Sequence, residues 1–193
     1  MIIIKDFDTH YPYDCGRRYS RGFTLIELIV TLTILAIIIA IATPMILTQL
    51  CTMEAKRIRS TIENTLTLAK AESLIRRHDI IVCLSDNNDH CQKDSTHALL
   101  LFVDQDDNQD FDAATDLLLS QESLEPRYGN THLRAGRRDY VKFYGDTGRP
   151  RGHFGHIKYC PTSTYNKAMY LISFNQMGLI KYKPNTTHPT DCP

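Results

Sequence analysis

The sequence has no net charge, because 22 Lys and Arg residues are matched by 22 Asp and Glu residues in a chain of 193. A global basic field of the kind that attracts nucleic acid is therefore absent. Long low-complexity tracts and internal repeats are missing too, and nothing suggests a second domain. A Walker loop, a Gly-x-Ser-x-Gly elbow and a His-Glu-x-x-His motif are likewise absent. Without a catalytic constellation, we expect neither an enzyme nor a cofactor.

Residues 23–42 are almost free of charge: they are mostly Ile, Leu, Val, Ala and Thr, and Glu27 is the single ionisable residue. A helix rises about 1.5 Å per residue and crosses a hydrocarbon core of about 30 Å in roughly 20 residues. The run therefore predicts one membrane span. Clustered positive charge stays on the cytoplasmic side of a membrane. Because Arg17, Arg18 and Arg21 lie just before the run, we predict that the part of the chain after the run is exported.

Two simpler interpretations of this segment are a secretory signal cleaved after Ala42 and a plain anchor. The run is longer than a usual signal core and contains Glu27, and the helical pattern continues past Ala42. A plain anchor gives no role to a carboxylate in the bilayer, where ionisable groups are costly and usually mark a function.

Residues 21–28, Arg-Gly-Phe-Thr-Leu-Ile-Glu-Leu, resemble the class III signal of type IV pilins and type II secretion pseudopilins. The resemblance implies that a prepilin peptidase cuts after Gly22 and methylates the new amino-terminal residue, Phe23. It also implies that Glu27 pairs with the amino terminus of a neighbouring subunit during filament assembly. Residues 1–22 would then be a leader peptide.

The helical pattern extends well beyond the span. Apolar residues recur at helical spacing and form one stripe: Leu47, Cys51, Ala55, Ile58, Ile62, Leu66 and Ala69. We predict a helix from Phe23 to about Arg77, with a transmembrane and assembly half (23–44) and an amphipathic half (45–77) whose stripe packs against the globular domain.

From residue 78 the pattern becomes strand-like, and we predict a globular β-sheet domain over residues 78–193. The predicted strands are 80–84, 98–103, 116–120, 132–134, 140–144, 156–159, 169–174 and 179–182. One helix followed by eight short strands indicates an α+β fold with a mainly antiparallel sheet.

This layout resembles the FimT/GspH group, the minor pilins of type IV pili and minor pseudopilins of type II secretion. Residues 69–75 are similar to the stretch that ends the group's helix, and residues 102–110 to its strand-to-turn segment. The resemblance implies the pilin fold.

Exported cysteines meet oxidising conditions, so disulfides are expected. We expect Cys83 to pair with Cys91 across a short loop and Cys160 to pair with Cys192 at the tail. Other connectivities stay open at this level, as does the state of Cys51.

Two patterns suggest metal ligands. Asp104, Asp106, Asn108 and Asp110 alternate as in a calcium loop, but Gln109 and Thr115 stand where an EF-hand needs Gly and Glu. We favour a solvated hairpin turn and leave calcium in another loop geometry open. His153 and His156 lie near Cys160, yet zinc needs three or four convergent ligands, so we predict no metal site there.

Residues 148–151, Gly-Arg-Pro-Arg, match the Gly-Arg-x-Arg motif of DNA-uptake members of the FimT branch. In those members the motif lies at the final strand, where this chain reads Gly-Leu-Ile-Lys. The Gly-Arg-Pro-Arg of this chain lies in an earlier turn. The surrounding region is basic and contains tyrosines, whereas residues 86–125 are acidic. A mixed, solvated strand surface is the favoured interpretation. The candidate DNA-binding residues are Arg149, Arg151, Lys158, Lys181 and Lys183.

We therefore expect a minor pilin of a type IV pilus, with its partners being other pilins or pseudopilins, the prepilin peptidase and the inner membrane. It would be a single-pass inner-membrane protein with a periplasmic carboxy-terminal domain, which joins a surface filament after assembly. The alternatives are a minor pseudopilin of type II secretion and a DNA-binding minor pilin for natural transformation.

Overall fold

The computed structural model describes residues 23–164 and 166–192. It contains helix α1 (Leu25–Arg76) and nine strands. The strands are β1 (Ile80–Ser85), β2 (Cys91–Gln92), β3 (Ala98–Val103), β4 (Leu117–Ser123), β5 (Gly129–Arg134), β6 (Tyr140–Phe143), β7 (Gly155–Pro161), β8 (Tyr170–Phe174) and β9 (Ile180–Pro184). The chain divides into two compact units, Met1–Ile41 and Ala42–Pro193.

Both ends of α1 are set by local backbone chemistry. The hydroxyl of Thr24 accepts a hydrogen bond from the backbone N–H of Glu27 (3.3 Å), as an N-cap residue does. At the other end Arg77 adopts a left-handed conformation with φ of 55°, which stops the helix after Arg76. The predicted helix is therefore confirmed, with ends within two residues of the expectation.

The amphipathic half of α1 forms the centre of the core of the second unit. Its buried residues follow the predicted stripe and extend it by two polar residues, Thr65 and Ser73. Only Leu47, at the start of the stripe, is half-buried. Apolar residues at this spacing share one helix face, and that face packs against both sheets.

The strands form two sheets in which every pairing is antiparallel. The first has the order β2-β1-β3-β4, with β6 also paired to β1, and the second has the order β5-β7-β8-β9. Strands β1 and β3 are buried along their whole length because both faces are covered. Alternate residues such as Val82 join the main core around α1, while Cys83 and its neighbours join a smaller cluster with Phe102 and Tyr140.

All eight predicted strands are present, with their ends shifted by up to three residues. The sequence missed two features: the two-residue strand β2, and the division of the strands into two sheets rather than one. Strand β2 is too short to show an alternating pattern. It exists because Cys91 pairs with Ser85 beside the disulfide.

Candidate filament-assembly site and charged surfaces

The amino-terminal end of α1 combines an exposed aromatic residue with an isolated carboxylate. Phe23 is 76% exposed, and Glu27 lies exposed in the first helical turn. Among residues 23–164 and 166–192, no cation lies within ion-pair distance of the Glu27 carboxylate. Gly22, the other residue of the expected cleavage site, lies outside the described residues, as do the leader and its arginines.

The first part of α1 presents apolar side chains in all directions. Its large hydrophobic residues, from Leu25 to Ile46, are about half exposed or more. Thr31 and Thr33 donate their hydroxyls to the carbonyls of Leu28 and Val30 (2.9 and 2.8 Å), so these polar groups are satisfied within the helix. By length and composition α1 is able to cross a membrane, and its most apolar stretch has no buried residue. This surface matches what lipid or another apolar helix requires.

Two disulfides hold the second unit. Cys83 on β1 is joined to Cys91 on β2, and Cys160 on β7 is joined to Cys192 near the carboxyl terminus. These are the pairings expected from the sequence. Cys51 is a buried free thiol on the packed face of α1.

The outer face of the second sheet carries two cross-strand rows in which six of the eight residues are Lys, Arg or His. The strand registers align His132, Lys158, Leu171 and Lys183 in one row, and Arg134, His156, Ser173 and Lys181 in the next. We call these eight residues the basic face. Successive residues of a strand point to opposite faces, so the sequence pattern places all of them opposite the core residues Leu133, Ile157 and Ile172.

Part of the basic face forms a groove of about 750 Å³. His156, Lys181 and Lys183 line it together with Phe154, which is 61% exposed. The pKa of His156 lies below its usual value because of burial first, and then because of the positive charges of Lys158, Arg134 and Lys183. Lys181 and Lys183 give this groove a positively charged lining.

The five candidate DNA-binding residues do not form one cluster. Lys181 and Lys183 line the groove, whereas Arg149 and Arg151 belong to the turn before β7 and do not line it. The Arg151 guanidinium pairs with Asp146 (3.0 Å) and lies over the ring of Tyr144 (4.5 Å to its centroid).

Lys158 lies on the basic face but is not available at the surface. It is 8% exposed, and its ammonium donates to the backbone carbonyl of Asp191 (2.7 Å). The neighbouring Cys192 is held by its disulfide to Cys160, so the tail covers this lysine. The burial of Lys158 under the tail argues against a contact between this lysine and DNA, which stays untested.

In the acidic turn between β3 and β4, the carboxylates that come together are not the set that alternates in the sequence. Asp110 is engaged elsewhere: its carboxylate accepts from the Cys91 backbone N–H (3.1 Å) and contacts the His90 ring (3.0 Å). Burial alone would raise the pKa of Asp110, but these hydrogen bonds outweigh it and hold the pKa below its usual value. Asp104 and Asp106 converge instead with Asp116.

Lys142 connects this turn to the sheet. Its ammonium contacts the carboxylates of Asp107 (2.5 Å), Asp79 (3.2 Å) and Asp104 (3.8 Å). Burial opposes the charged form of Lys142, but hydrogen bonds to Asp107 and Asp79 outweigh it, so the pKa is raised. The pKa of Asp104 is also raised, because burial and the charges of Asp116 and Asp107 outweigh Lys142 and a weak contribution from the Gln109 backbone N–H.

The His153, His156 and Cys160 set is not brought together as ligands. The sulfur of Cys160 is bonded to Cys192 in a disulfide, so it is not available as a metal ligand, and His156 lines the groove. His153 is buried beside Tyr140, with ring centroids 5.4 Å apart. Burial and the charge of Arg138 lower its pKa to about 4.

Glu54 is an important residue that sequence analysis missed. Its carboxylate accepts from the backbone N–H groups of Arg127 and Tyr128 (2.8 and 3.1 Å) and from the Tyr159 hydroxyl (2.9 Å). It thereby ties α1 to the segment that enters β5. The only signal in the sequence was a charge beside the apolar stripe, which is ordinary on an amphipathic helix.

These features define a class: a protein anchored by an amino-terminal apolar helix, with a carboxy-terminal α+β globular unit. The family described as prokaryotic N-terminal methylation motif matches residues 17–43, and the family described as type II transport protein GspH matches residues 60–178. Since the second match covers more than half of the chain, the protein belongs to the GspH family of minor pilins and pseudopilins. Family membership implies association with other pilins in a filament.

Two solved structures are similar to this chain. Two crystal forms of the type IV minor pilin FimU from Pseudomonas aeruginosa PAO1 match with 13% and 14% identity. The matches cover 75% and 74% of this chain and 96% and 99% of the FimU chains, with TM-scores of 0.49 and 0.48. These identities and TM-scores are too low to support an inference about function. No curated protein matches the chain.

Proposed function

We propose that this protein is a minor pilin, cleaved between Gly22 and Phe23, methylated at Phe23 and incorporated into a type IV pilus. The observation that supports this most directly is the isolated Glu27 carboxylate on an apolar, exposed helix. No catalytic role forms part of the proposal.

The proposed role of Glu27 follows from the cost of charge in lipid. A carboxylate on a membrane-spanning helix costs several kcal/mol unless it is paired. Cleavage after Gly22 would create a positively charged amino terminus on Phe23 of each subunit. A neighbour shifted along the filament would bring this amino group to Glu27, so that two groups that are costly in lipid neutralise each other.

The proposed location is the inner membrane, with the second unit in the periplasm. Basic residues before the span favour a cytoplasmic leader. The two disulfides fit an oxidising compartment for the second unit. Assembly would then carry this unit into the surface filament.

Processing is tested by the intact mass and the amino-terminal sequence of the membrane form. We expect a chain that begins at Phe23 with one added methyl group. A chain that begins at Thr43 would mean secretory cleavage, and an unprocessed chain would mean a plain anchor. Either result would overturn the proposal.

Assembly is tested with Glu27→Ala in cells that make the filament. We expect the variant to be processed and inserted normally, while its amount in sheared filaments falls at least tenfold. Glu72→Ala is the matched control, because it removes a carboxylate from an exposed i,i+4 pair with Arg76, and such pairs contribute little. Equal incorporation of both variants would contradict the role of Glu27.

The competing filament is the pseudopilus of type II secretion, which uses the same signal and the same helix. Deletion of the protein separates the two. Loss of surface pili with intact protein secretion supports the type IV pilus. Loss of secretion with intact pili assigns the protein to the pseudopilus.

A second candidate function, DNA binding, is favoured by the groove on the basic face. Lys181 and Lys183 would contact phosphates there, and the exposed ring of Phe154 at the same groove would stack on a base. This set differs from the Gly-Arg-Pro-Arg turn, where Asp146 already pairs with Arg151.

Two double variants of equal charge separate these surfaces: Lys181→Gln/Lys183→Gln and Arg149→Gln/Arg151→Gln. DNA binding by the full chain in detergent is measured by fluorescence anisotropy over a series of salt concentrations. We expect the lysine variant to lose at least tenfold in affinity, with a salt slope about 1.8 shallower for duplex DNA, and the arginine variant to change less than threefold. Absence of binding at low salt would refute the DNA role.

A further inference from the structure

The acidic turn between β3 and β4 brings together three carboxylates, two from its start and one from its end. The ligand oxygens of Asp104, Asp106 and Asp116 lie within 4.8 Å of one another. The pairing of β3 with β4 explains this, because Val103 is the register partner of Leu117. Asp104 directly follows the first strand and Asp116 directly precedes the second, so the two face each other where the hairpin opens.

The Asp104 carboxylate is buried without a hydrogen-bond partner. Its side chain has no exposed surface, and within the described part of the chain neither oxygen accepts a hydrogen bond of normal geometry. A buried, unpaired carboxylate costs several kcal/mol and is found where a cation compensates it. One of these oxygens lies within 4.8 Å of the ligand oxygens of Asp106 and Asp116, so it is available for a ligand shared with them.

Within the described part of the chain, Lys142 is the one cation paired with this group of carboxylates. Its ammonium contacts Asp79, Asp104 and Asp107, whereas Asp106 and Asp116 make no ion pair. The separation of this ammonium from Asp104 is 3.8 Å, beyond hydrogen-bond distance. Among the described residues, the three convergent carboxylates therefore have one cationic neighbour, the Lys142 ammonium near Asp104.

The other two carboxylates are held in place by the loop itself. Asp116 accepts from the backbone N–H groups of Gln105 and Asp112 (both 3.0 Å). Asp106 accepts from Asn108 and from the Thr115 hydroxyl (3.3 Å). Each carboxylate has about four acceptor positions, so these bonds leave lone pairs for a metal.

We propose that Asp104, Asp106 and Asp116 bind one calcium ion. The donors are all hard oxygens, which suits calcium. Calcium accepts six to eight ligands in irregular geometry, so water and loop carbonyls would complete the shell. Magnesium, which requires a near-octahedral shell and gives up water reluctantly, would bind more weakly. The bound ion would fix the β3–β4 turn on the surface of the globular unit.

The test uses the full chain in detergent, stripped with EDTA and titrated calorimetrically with calcium chloride or magnesium chloride. We expect one calcium per chain and at least tenfold weaker binding of magnesium. Asp116→Asn is expected to weaken calcium binding at least tenfold, because it removes a ligand charge. Asp110→Asn is the matched control: it removes the same charge from the same turn, but at a residue held by His90 and Cys91, and it should change affinity less than threefold.

Each alternative outcome has a defined meaning. Absence of calcium binding at millimolar concentration refutes the site. Equal losses in Asp116→Asn and Asp110→Asn would mean that only the general negative charge of the turn matters. A loss confined to Asp110→Asn would favour the alternating pattern of the sequence over the site proposed here.

Circular dichroism checks that each variant is folded. If Asp116→Asn does not fold, Asp106→Asn, at an exposed position, takes its place with the same expected loss. Calcium should also raise the thermal unfolding midpoint of the wild type and of Asp110→Asn, but not that of the ligand variants. A rise in all of them would contradict the proposal.

Discussion

At the scale of single residues, burial separates histidines that look alike in the sequence. His153 is buried beside Tyr140, its Nδ1 has no hydrogen-bond partner among the described residues, and its pKa is lowered to about 4. His188 is exposed. An uncharged imidazole is therefore part of the folded state at position 153.

This burial predicts a specific pH dependence of stability. The unfolded chain binds a proton at His153 near pH 6.5, whereas the folded chain does so only near pH 4. Between these values the unfolded state holds more protons, so the free energy of unfolding falls as the pH falls. From pH 8 to pH 5 the contribution of His153 amounts to about 2 kcal/mol.

We expect His153→Gln to remove most of this contribution. Denaturant unfolding of the full chain at pH 8, 6.5 and 5 should show a loss about 2 kcal/mol smaller in the variant than in the wild type. His188→Gln, the control, should follow the wild type. A His153→Gln profile parallel to that of the wild type would refute the assignment.

Single residues also show where a sequence pattern misleads. Lys158 and Lys183 have the same charge and lie in one cross-strand row, yet the tail covers only Lys158. Asp110 fits the alternating pattern but is held by Cys91 and His90, while Asp116, outside the pattern, joins Asp104. Such partners lie far away in sequence, so local spacing does not report them.

At the scale of elements, α1 is one helix that meets two environments. Residues near its start are apolar and exposed, whereas from Cys51 onward one face is buried. The helix continues through Pro44, whose carbonyl accepts from the Thr48 hydroxyl (2.9 Å). Stability of the globular unit should therefore depend on the buried face of the amphipathic half.

A pair of leucines two positions apart tests this face. Leu66 is fully buried in the core, and Leu68 is 42% exposed. Leu66→Ala should lower the free energy of unfolding by about 2–5 kcal/mol, because it removes buried apolar surface and leaves a cavity. Leu68→Ala should change it by about 0.5 kcal/mol or less. Denaturant unfolding measures both, and equal losses would contradict the assigned orientation of α1.

At the scale of the whole molecule, the disulfides close loops of different length. Cys83 and Cys91 are 8 residues apart, and Cys160 and Cys192 are 32 apart. Loop-closure entropy predicts a stabilisation of about 2.5 kcal/mol for the short loop and about 3.7 kcal/mol for the long one. The disulfide between Cys160 and Cys192 should therefore contribute more to the free energy of unfolding than the disulfide between Cys83 and Cys91.

Two double variants measure this difference: Cys83→Ala/Cys91→Ala and Cys160→Ala/Cys192→Ala. We expect the second to lose about 1 kcal/mol more in the free energy of unfolding than the first. It should also expose Lys158 to amine-modifying reagents, since the tail no longer covers it. Continued protection of Lys158 would mean that the tail remains bound without its disulfide.

Local patterns in the sequence were enough to predict the helix, the strands and the family. The apolar run predicted the exposed first part of α1, the helical stripe predicted its buried face, and short strand-like runs between polar turns located eight of the nine strands. The prepilin-type signal and the layout of elements identified the family, which the GspH match over residues 60–178 confirms.

Contacts between separate strands and loops became visible in the folded chain and not in the sequence. The register of β3 with β4 placed Asp104 opposite Asp116, and the pairing of β5, β7, β8 and β9 assembled the basic face. Register and sheet order depend on contacts between segments tens of residues apart, whereas helical and strand periods depend on neighbours a few residues away. For this reason the anchor and the helix could be predicted, while the groove and the acidic cluster required the folded chain.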